Sequence, residues 1–425
     1  MPNPTRRRVW ITGLGPLTAA GIGRDAFWAG VQAAVSPVRR IDRFDPSPFR
    51  SQVAAQVDAF DPLDQIDAAD ARRLDRFSQF AMSAGRLALD DAGLAPGAPG
   101  HPARDRIGLY VGSALGGIAF AEIQHERYLE RGIRSVSPLL ALAVFGGAAP
   151  ANIGIALDVR GPILSTANSC ASGAVAIGEA VAAIRAGEID AALAGGAEVP
   201  LSPLAFGAFD IIRALSAGSN DDAGHAARPF DTRRDGFVMG EGAAMVVLEE
   251  ATAAAARGAT PYAEVLGYAA TSDAYHMVQP RPDGVEAGRA ASLALAEAGT
   301  AAEGIDYVNA HASSTPIGDV AEARAIERAL GDRARTVPVS GTKALYGHPL
   351  GASGAIEAAL CSLVIRCSWA PPSVNLETPD DGSAAILGGL IRDPRGRPGR
   401  YGRVLSTSFG FGGLNAALVF GAVEA

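Results

Sequence analysis

The sequence has 425 residues and a formal net charge of −8; 48% of its residues are hydrophobic and 19% are charged. That length is enough to bury a large core and suits two or three domains of a globular enzyme. The negative charge argues against general nucleic-acid binding, and we find no uninterrupted apolar run long enough to span a bilayer.

The first predicted element is a β-strand in "RRRVWITGLGPLTAAGIG". Three arginines before an apolar stretch would also suit an export signal, but Gly13, Gly15 and Pro16 interrupt it and "VWIT" alternates as strands do. The chain has three cysteines, an odd number that argues against a disulfide framework. We therefore expect a strand here and a cytoplasmic protein.

Residues 70–89, "DARRLDRFSQFAMSAGRLAL", predict one amphipathic helix. Its apolar positions form a single stripe that leaves Arg72, Arg73 and Arg76 outside it. Further along, "RIGLYVGSALGG" and "PILSTANSC" indicate strands that end in turns, and "ASGAVAIGEAVAAIRAGEI" indicates a helix buried on all sides. This alternation predicts an α/β fold with helices packed on a sheet.

Cys170 lies where the second of these strands turns into the buried helix. Backbone N–H groups and the positive end of the helix dipole favour a thiolate at such a position, so Cys170 is a candidate nucleophile. The alternative is a small buried hydrophobic residue, which is how we interpret Cys361 and Cys367 in the apolar stretch "EAALCSLVIRCSW".

The alternation of strands and helices restarts in "EEATAAAARGATPYA", where a helix ends near Gly258 and a new strand begins at Pro261. We therefore divide the chain into residues 1–255 and 256–425. Each half offers a strand, a polar tip and an alanine-rich helix, which suggests a duplicated architecture.

The second half contains a histidine at the end of a short strand, in "IDYVNAHASSTPIGDVAEARAIERALG". Thr315 is placed to cap the following helix, with Pro316 at its first position and Gly331 beyond its end. His311 thus lies at a strand's carboxyl tip, where α/β folds keep their sites. The alternative is an ordinary hydrogen-bonded loop histidine.

Lys343 is the only lysine of the chain; it lies in "SGTKALYGHPLGASGAIEAAL" together with His348 and Glu357. Glu357 is an acid among apolar neighbours, and a buried carboxylate needs a partner. Because a guanidinium cannot replace a compact ammonium in a tight site, we expect a buried Lys343–Glu357 pair close to the histidines. The alternative is one surface lysine left by compositional bias.

The last motif, "STSFGFGGLNAALVF", surrounds Phe409 and Phe411 with glycines. Such a backbone can approach a ligand closely, and glycines beside a phenylalanine suit a moving gate. Without further context it could equally be a tight turn between two core strands.

Together these stretches resemble the β-ketoacyl-[acyl carrier protein] synthases, and specifically the elongating ketosynthases of type II fatty acid synthesis. "RPFDTRRDGFVMGEGA" and "TSDAYHM" extend the likeness over essentially the whole chain. The resemblance implies a thiolase fold, two α/β halves forming a five-layer αβαβα core, and a homodimer that uses no metal or cofactor. It implies decarboxylative condensation of an acyl chain with malonyl-[acyl carrier protein], as in fatty acid elongation.

The resemblance also implies roles for individual residues. It gives Cys170 as the nucleophile, His311 and His348 as the catalytic pair, and Lys343 with Glu357 as the supporting ion pair. The other residues that it assigns are the oxyanion donor and gate Phe411, the pantetheine-binding Ser313 and Thr315, and the carrier-docking Arg72, Arg73, Arg134 and Arg213. We expect the four arginines to form one patch beside the tunnel mouth, since the carrier protein is acidic.

The sequence departs from the family pattern around the acyl pocket and gate, at Asn168, Ser169, Ala312, Thr407 and Leu414. These departures leave open a stand-alone ketosynthase of a polyketide or specialised lipid pathway. A non-catalytic chain-length partner subunit is a further alternative, although such subunits typically lack the nucleophile. A thiolase would need a second cysteine near "SFGFGGLN", which has none.

Overall fold

A computed structural model describes residues 6–94 and 102–423. Numbered in chain order, its strands are β1 (Val9–Thr18), β2 (Gly21–Ile22), β3 (Arg39–Arg40), β4 (Val53–Ala54), β5 (Ile107–Gly112), β6 (Ile163–Thr166), β7 (Ala191–Glu198), β8 (Gly242–Glu250), β9 (Ala263–Ser272), β10 (Tyr307–Ala310), β11 (Val339–Gly341), β12 (Trp369–Ala370), β13 (Arg397–Pro398), β14 (Arg403–Gly410) and β15 (Leu414–Gly421).

The α-helices of the described residues are α1 (Arg24–Ala33), α2 (Ala68–Ala71), α3 (Arg76–Asp91), α4 (Ile118–Arg131), α5 (Leu140–Ala143), α6 (Ala148–Leu157), α7 (Ser172–Ala186), α8 (Pro203–Ile211), α9 (Ala251–Ala256), α10 (Val285–Glu297), α11 (Pro316–Leu330), α12 (Ser353–Cys367) and α13 (Asp381–Ala384). Short 3-10 turns precede several of them.

The main sheet has the strand order β11-β10-β14-β15-β9-β1-β8-β7-β5-β6, with β2 paired to β1. Strands from the first half of the chain lie on one side and strands from the second half on the other. The two sides meet where β1 and β9 pair at Trp10–Glu264 and Ile11–Ala263.

Helices α7 and α12 pack against each other and against strands from both sides of the sheet. On the outer faces, α3 packs on β1 and β8, and α10 packs on β9, β15 and α11. The two sides of the main sheet thus form two layers, with α7 and α12 between them and further helices on the outer faces. The order is helix, sheet, helix, sheet, helix, and the expected αβαβα architecture is confirmed.

The two central helices, α7 and α12, are apolar over most of their length. Ser169–Ala186 and Leu350–Cys367 are long and apolar enough to cross a bilayer by length and composition, although charged residues interrupt both. The fold buries 72% of the first stretch and 89% of the second, because sheets cover them on both sides. They are core helices.

The expected first strand is confirmed, and it is longer than "VWIT". β1 continues through Gly13, Gly15 and Pro16 and pairs antiparallel with β8. A Cβ at Gly13 would lie 2.2 Å from the carbonyl oxygen of Ala88, and one at Gly15 would lie 1.9 Å from that of Ala84. The glycines that interrupt the apolar pattern thus allow α3 to lie directly on the strand.

The single helix predicted over residues 70–89 is wrong in its first turns. Helix α2 ends at Ala71, and α3 begins only at Arg76, with the carboxylate of Asp75 accepting a hydrogen bond from the Ser78 N–H as its N-cap. Arg72 and Arg73 consequently lie exposed in the turn between the two helices. The cap residue outweighs the helical periodicity because it satisfies an otherwise unpaired N–H.

Candidate active site

A cavity of about 360 Å³ opens between the two halves of the fold. Cys170, His311 and His348 all line it, although they come from segments far apart in sequence. Phe409 and Phe411, on the hairpin that joins β14 to β15, line the same cavity. The sulfur and the two imidazoles to which the resemblance gives catalytic roles therefore lie around one cavity.

Cys170 lies in a 3-10 turn, Ser169–Ala171, directly before α7. Its side chain is buried in an apolar cluster that includes Phe206 and Leu350. Burial raises the pKa of the thiol to about 11, while the Ser169 hydroxyl, the charge of Lys343 and the Phe411 N–H act in the opposite direction. The expectation that the helix N-terminus favours a thiolate is thus outweighed by desolvation.

His311 directly follows β10, as predicted, and Thr315 caps α11 by accepting a hydrogen bond from the Gly318 N–H. The His311 N–H donates to Oε1 of Glu322 over 2.7 Å, and Oε1 of Glu322 also accepts from Thr407. Burial raises the pKa of the Glu322 carboxyl to about 7. We missed Glu322 in the sequence because an acid in a helix with several charges resembles a surface residue.

Lys343 is fully buried, as expected, and its ammonium group contacts three acceptors. Nζ lies 2.5 Å from Oε1 of Glu357 and 3.3 Å from Nδ1 of His311, and it also donates to the His311 carbonyl oxygen. The surface-lysine alternative is therefore wrong. Because both charges of the pair are desolvated, removing either one would leave the other uncompensated.

The imidazole of His348 is held by a hydroxyl group and an aromatic ring, whereas that of His311 contacts a charged ammonium group. Nδ1 lies 2.8 Å from Oγ of Ser353, and the ring packs edge-on against Phe237 at a centroid distance of 5.1 Å. The His311 and His348 rings are 5.2 Å apart and nearly perpendicular.

Both imidazoles are neutral at physiological pH. Burial lowers the pKa of His311 and of His348 well below the usual value, and the charge of Lys343 acts in the same direction. Nδ1 of His311 faces an ammonium group, which has only donors, so that nitrogen accepts and Nε2 carries the proton. If the Ser353 hydroxyl donates to Nδ1 of His348, the Nε2–H of that ring is the second available donor.

The hairpin and the loop after β10 both contribute to the cavity wall. The Phe411 ring stacks on Phe209 at a centroid distance of 5.9 Å, and Gly412 and Gly413 follow at positive φ. Ser313 and Thr315 line the other part, with their hydroxyl oxygens 2.9 Å apart.

The four predicted docking arginines are all exposed. Arg213 lines the cavity, whereas Arg134 lies in a 3-10 turn after α4. Arg72 and Arg73 lie in the turn before α3. That the four form one patch stays a prediction.

Within residues 6–94 and 102–423, no group of three or more histidine, cysteine, aspartate or glutamate side chains could hold a metal ion.

Comparison with known proteins gives consistent similarities. Residues 6–254 match the model described as "Beta-ketoacyl synthase, N-terminal domain", and residues 262–377 match "Beta-ketoacyl synthase, C-terminal domain". The "3-oxoacyl-[acyl-carrier-protein] synthase 2" of Coxiella burnetii is 42% identical over 418 residues, which covers 98% of this chain and 99% of that protein.

Two solved structures have nearly the same fold. A β-ketoacyl synthase from Burkholderia phymatum is 37% identical with a TM-score of 0.90, covering 98% of this chain and 100% of that one. A ketosynthase in complex with a type II PKS acyl-carrier protein, bound to the hexaketide, is 30% identical with a TM-score of 0.89 and covers 98% and 100%. The similarity thus spans both halves of the chain.

Proposed function

Since the chain belongs to the β-ketoacyl synthase family, we propose that it condenses an acyl chain, held as a thioester on Cys170, with malonyl-[acyl carrier protein]. The product is 3-oxoacyl-[acyl carrier protein], and the reaction elongates fatty acids. The five-layer core is the thiolase fold that the resemblance implied. The observation that carries the proposal is the convergence of Cys170, His311 and His348 on one cavity.

In the first half-reaction, the Cys170 sulfur attacks the acyl thioester of the carrier protein. The bond between the acyl carbon and the carrier's sulfur breaks, a bond to Cys170 forms, and the thiol proton ends on the departing pantetheine sulfur. The raised pKa of Cys170 means that the resting residue is a thiol that loses its proton as it attacks. A covalent acyl-enzyme frees the cavity for the second substrate.

In the second half-reaction, malonyl thioester loses carbon dioxide, and negative charge develops on the thioester oxygen. His311 and His348 are neutral, so each can donate one N–H to that oxygen. The resulting enolate carbon attacks the acyl carbonyl on Cys170 and forms the new carbon–carbon bond. The bond between that carbonyl carbon and the Cys170 sulfur breaks, and the departing thiolate takes up a proton from water. The backbone N–H groups of Cys170 and Phe411 are the donors that we assign to the second oxyanion.

Lys343 fixes the tautomer of His311 by donating to its Nδ1, and Glu357 balances the buried charge. Both are positioning residues. Ser313 and Thr315 bind the pantetheine arm, and Phe411 is the gate between the arm and the acyl chain.

The carrier protein supplies both acyl and malonyl groups, and we propose that it docks on Arg72, Arg73, Arg134 and Arg213. Arg213 supports this assignment most directly, because it lines the cavity through which the arm must enter. Basic groups around the entrance would attract an acidic carrier although the chain is net negative.

We propose a homodimer that pairs through β6. This strand is the last in the sheet order, and Ile163 and Leu164 are 42% and 43% exposed although they point to opposite faces. Ile155, on the adjacent α6, is 82% exposed. An uncovered apolar edge strand would promote aggregation, and a second copy would cover it. Sedimentation of the wild type and of Ile155→Asp tests the proposed dimer. A monomeric wild type would contradict the proposal.

We propose that the chain divides into the halves 1–255 and 256–425. The support is that the main-sheet strands β1, β2, β5, β6, β7 and β8 come from the first range and β9, β10, β11, β14 and β15 from the second. A cytoplasmic location is also part of the proposal. Its support is that Cys170, Cys361 and Cys367 are all free thiols.

Turnover of defined carrier thioesters tests the reaction. Wild-type protein is incubated with an acyl-[acyl carrier protein] panel and malonyl-[acyl carrier protein], and the carrier is weighed by mass spectrometry. The proposal predicts a 3-oxoacyl carrier with the wild type and none with Cys170→Ala. Absence of product with every acyl chain would favour the non-catalytic partner subunit, and product from long oxidised chains alone would favour the polyketide alternative.

A further inference from the structure

The residue before the nucleophile carries a hydroxyl group that reaches the sulfur. Oγ of Ser169 lies 3.8 Å from Sγ of Cys170. We propose that Ser169 is a catalytic residue whose hydroxyl donates a hydrogen bond to the Cys170 sulfur as that sulfur becomes an anion. The inference deepens the proposed function at the acyl-loading step.

The backbone holds Ser169 in a conformation that side chains rarely adopt, with φ of 52°. The hydroxyl of Ser172 fixes this turn, because it donates to the Ser169 carbonyl oxygen over 2.6 Å and accepts from the Asn168 N–H over 2.8 Å. A non-glycine residue at positive φ costs conformational energy, and such strain persists only where the surrounding structure imposes it.

The side chain of Ser169 is also confined from the opposite wall. A Cβ at Gly410, on β14, would lie only 3.0 Å from the Cβ of Ser169. In the described part of the chain the sulfur is the one hydrogen-bond partner that the Ser169 hydroxyl has. The sulfur is therefore the protein acceptor that this partly buried hydroxyl reaches.

The direction of this hydrogen bond depends on the state of the sulfur. With a neutral thiol either group can donate, but a thiolate has no proton, so the hydroxyl must then be the donor. This interaction stabilises the charged form more than the neutral one and offsets part of the cost of burying it. As the acyl group is transferred, the cysteine proton passes to the departing pantetheine sulfur, and Ser169 keeps its own proton.

The other groups around the sulfur define its electrostatic surroundings. The charge of Lys343 and the Phe411 N–H favour the thiolate, and the buried Glu198 disfavours it. His311 and His348 face the same cavity as neutral rings. Ser169 and the Phe411 N–H are thus uncharged donors that act directly on the sulfur.

Alkylation of Cys170 by iodoacetamide across a range of pH tests the proposal without any carrier protein, so it is independent of whether condensation is observed. The variants are Ser169→Gly, which takes a positive φ without strain, and Ser169→Ala, which keeps Cβ. Peptide mapping separates Cys170 from Cys361 and Cys367. Melting curves establish that each variant is folded.

Loss of a hydrogen bond to a charged group predicts that both variants alkylate Cys170 about tenfold more slowly at a given pH. The pH midpoint should rise by about one unit. Acyl loading from the carrier should slow in parallel. Wild-type midpoints in both variants would overturn the proposal, as would slowing confined to Ser169→Gly, since Ser169→Ala also lacks the hydroxyl and that result would assign the effect to the backbone conformation.

Discussion

Nζ of Lys343 lies 3.3 Å from Nδ1 of His311, so the chain's only lysine fixes which nitrogen of that imidazole carries a proton. A second contact of the ammonium group, 2.5 Å from Oε1 of Glu357, balances its charge in a fully buried site. The ion pair, the imidazole and the cavity therefore form one continuous arrangement, in which a change at Lys343 acts on the chemistry at Nε2 of His311.

Replacing this ammonium group should abolish condensation while leaving acyl loading in place. In Lys343→Arg the planar guanidinium cannot occupy the compact site, and His311 loses its fixed tautomer. Since one oxyanion donor contributes a factor of about 100 to 1,000, we expect malonyl decarboxylation to fall by that amount. Release of labelled carbon dioxide measures it.

Glu357→Gln is the matched variant, because it keeps the shape of the side chain and removes only the charge. It should reduce decarboxylation less than Lys343→Arg, since Nζ remains beside His311. Equal decarboxylation rates in the wild type and Lys343→Arg would mean that Lys343 does not position His311.

The gate hairpin should depend on a buried hydrogen bond across the cavity wall. Nδ2 of Asn415, on β15, donates to Oδ1 of Asp273 over 2.7 Å, and the Asp273 N–H donates to the Gly413 carbonyl. A hydrogen bond to a charged group contributes about 1.5–3 kcal/mol. Asn415→Ala should therefore loosen the turn that holds Phe411 and lower kcat/KM for acyl loading about tenfold.

Asp283→Asn is the control for this change, because Asp283 follows in the same segment but is only partly buried and pairs with Arg281. Its acyl-loading kinetics should match those of the wild type. If Asn415→Ala loads acyl groups as fast as the wild type, the turn does not need this bond.

Charge reversal at the docking surface should affect only carrier-borne substrates. Arg72→Glu/Arg73→Glu should raise KM for acyl-[acyl carrier protein] several-fold and leave KM for a free acyl-pantetheine thioester unchanged, because the small thioester has no acidic surface. The rise should diminish at high salt.

Arg400→Glu provides a control for net charge. Arg400 is exposed and lies just before the first residue of β14, whereas the gate lies at the other end of this strand. The eight residues of β14 separate its two ends by about 25 Å. An equal rise of KM in Arg400→Glu would mean that overall charge, and not a docking patch, governs the encounter.

The buried Glu198 should make stability fall as pH rises. Burial raises the pKa of its carboxyl to about 7, although Ser113 and the N–H groups of Ala114, Leu115 and Gly351 donate to it. A group whose pKa is higher in the folded state binds more protons when folded, so its contribution to stability is lost between about pH 4.5 and 7.

Glu198→Gln removes this titration. The amide places an N–H against backbone donors, which costs stability at every pH. Between pH 4.5 and 7, however, the wild type should lose about 3 kcal/mol of unfolding free energy relative to the variant. Denaturant unfolding of both proteins measures it. Parallel stability profiles would mean that Glu198 titrates normally.

Sequence patterns located the site well where local structure sets the geometry. His311 could be placed because β10 ends one residue before it and Thr315 caps the next helix. Lys343 could be assigned a buried role because a single lysine among arginines is hard to explain otherwise. The burial of α7 also followed from its largely apolar composition.

Properties that depend on distant segments could not be predicted. The pKa of Cys170 is raised because the residue is buried in a cluster that includes Phe206 and Leu350, and neither of these is near it in sequence. Glu198 and Glu322 resemble strand-end and surface acids until the fold buries them. The break before α3 depends on Asp75 as a cap, which competes with a strong helical pattern.

The central claim is that one sulfur carries the acyl chain within reach of both imidazoles. Intact-mass measurement and peptide mapping after incubation with acyl-[acyl carrier protein] test it most directly, followed by addition of malonyl-[acyl carrier protein]. The account predicts one acyl group on Cys170, discharged by malonyl carrier in the wild type and retained in His311→Ala. An acyl group on Cys361 or Cys367, or discharge at the wild-type rate without His311, would contradict it.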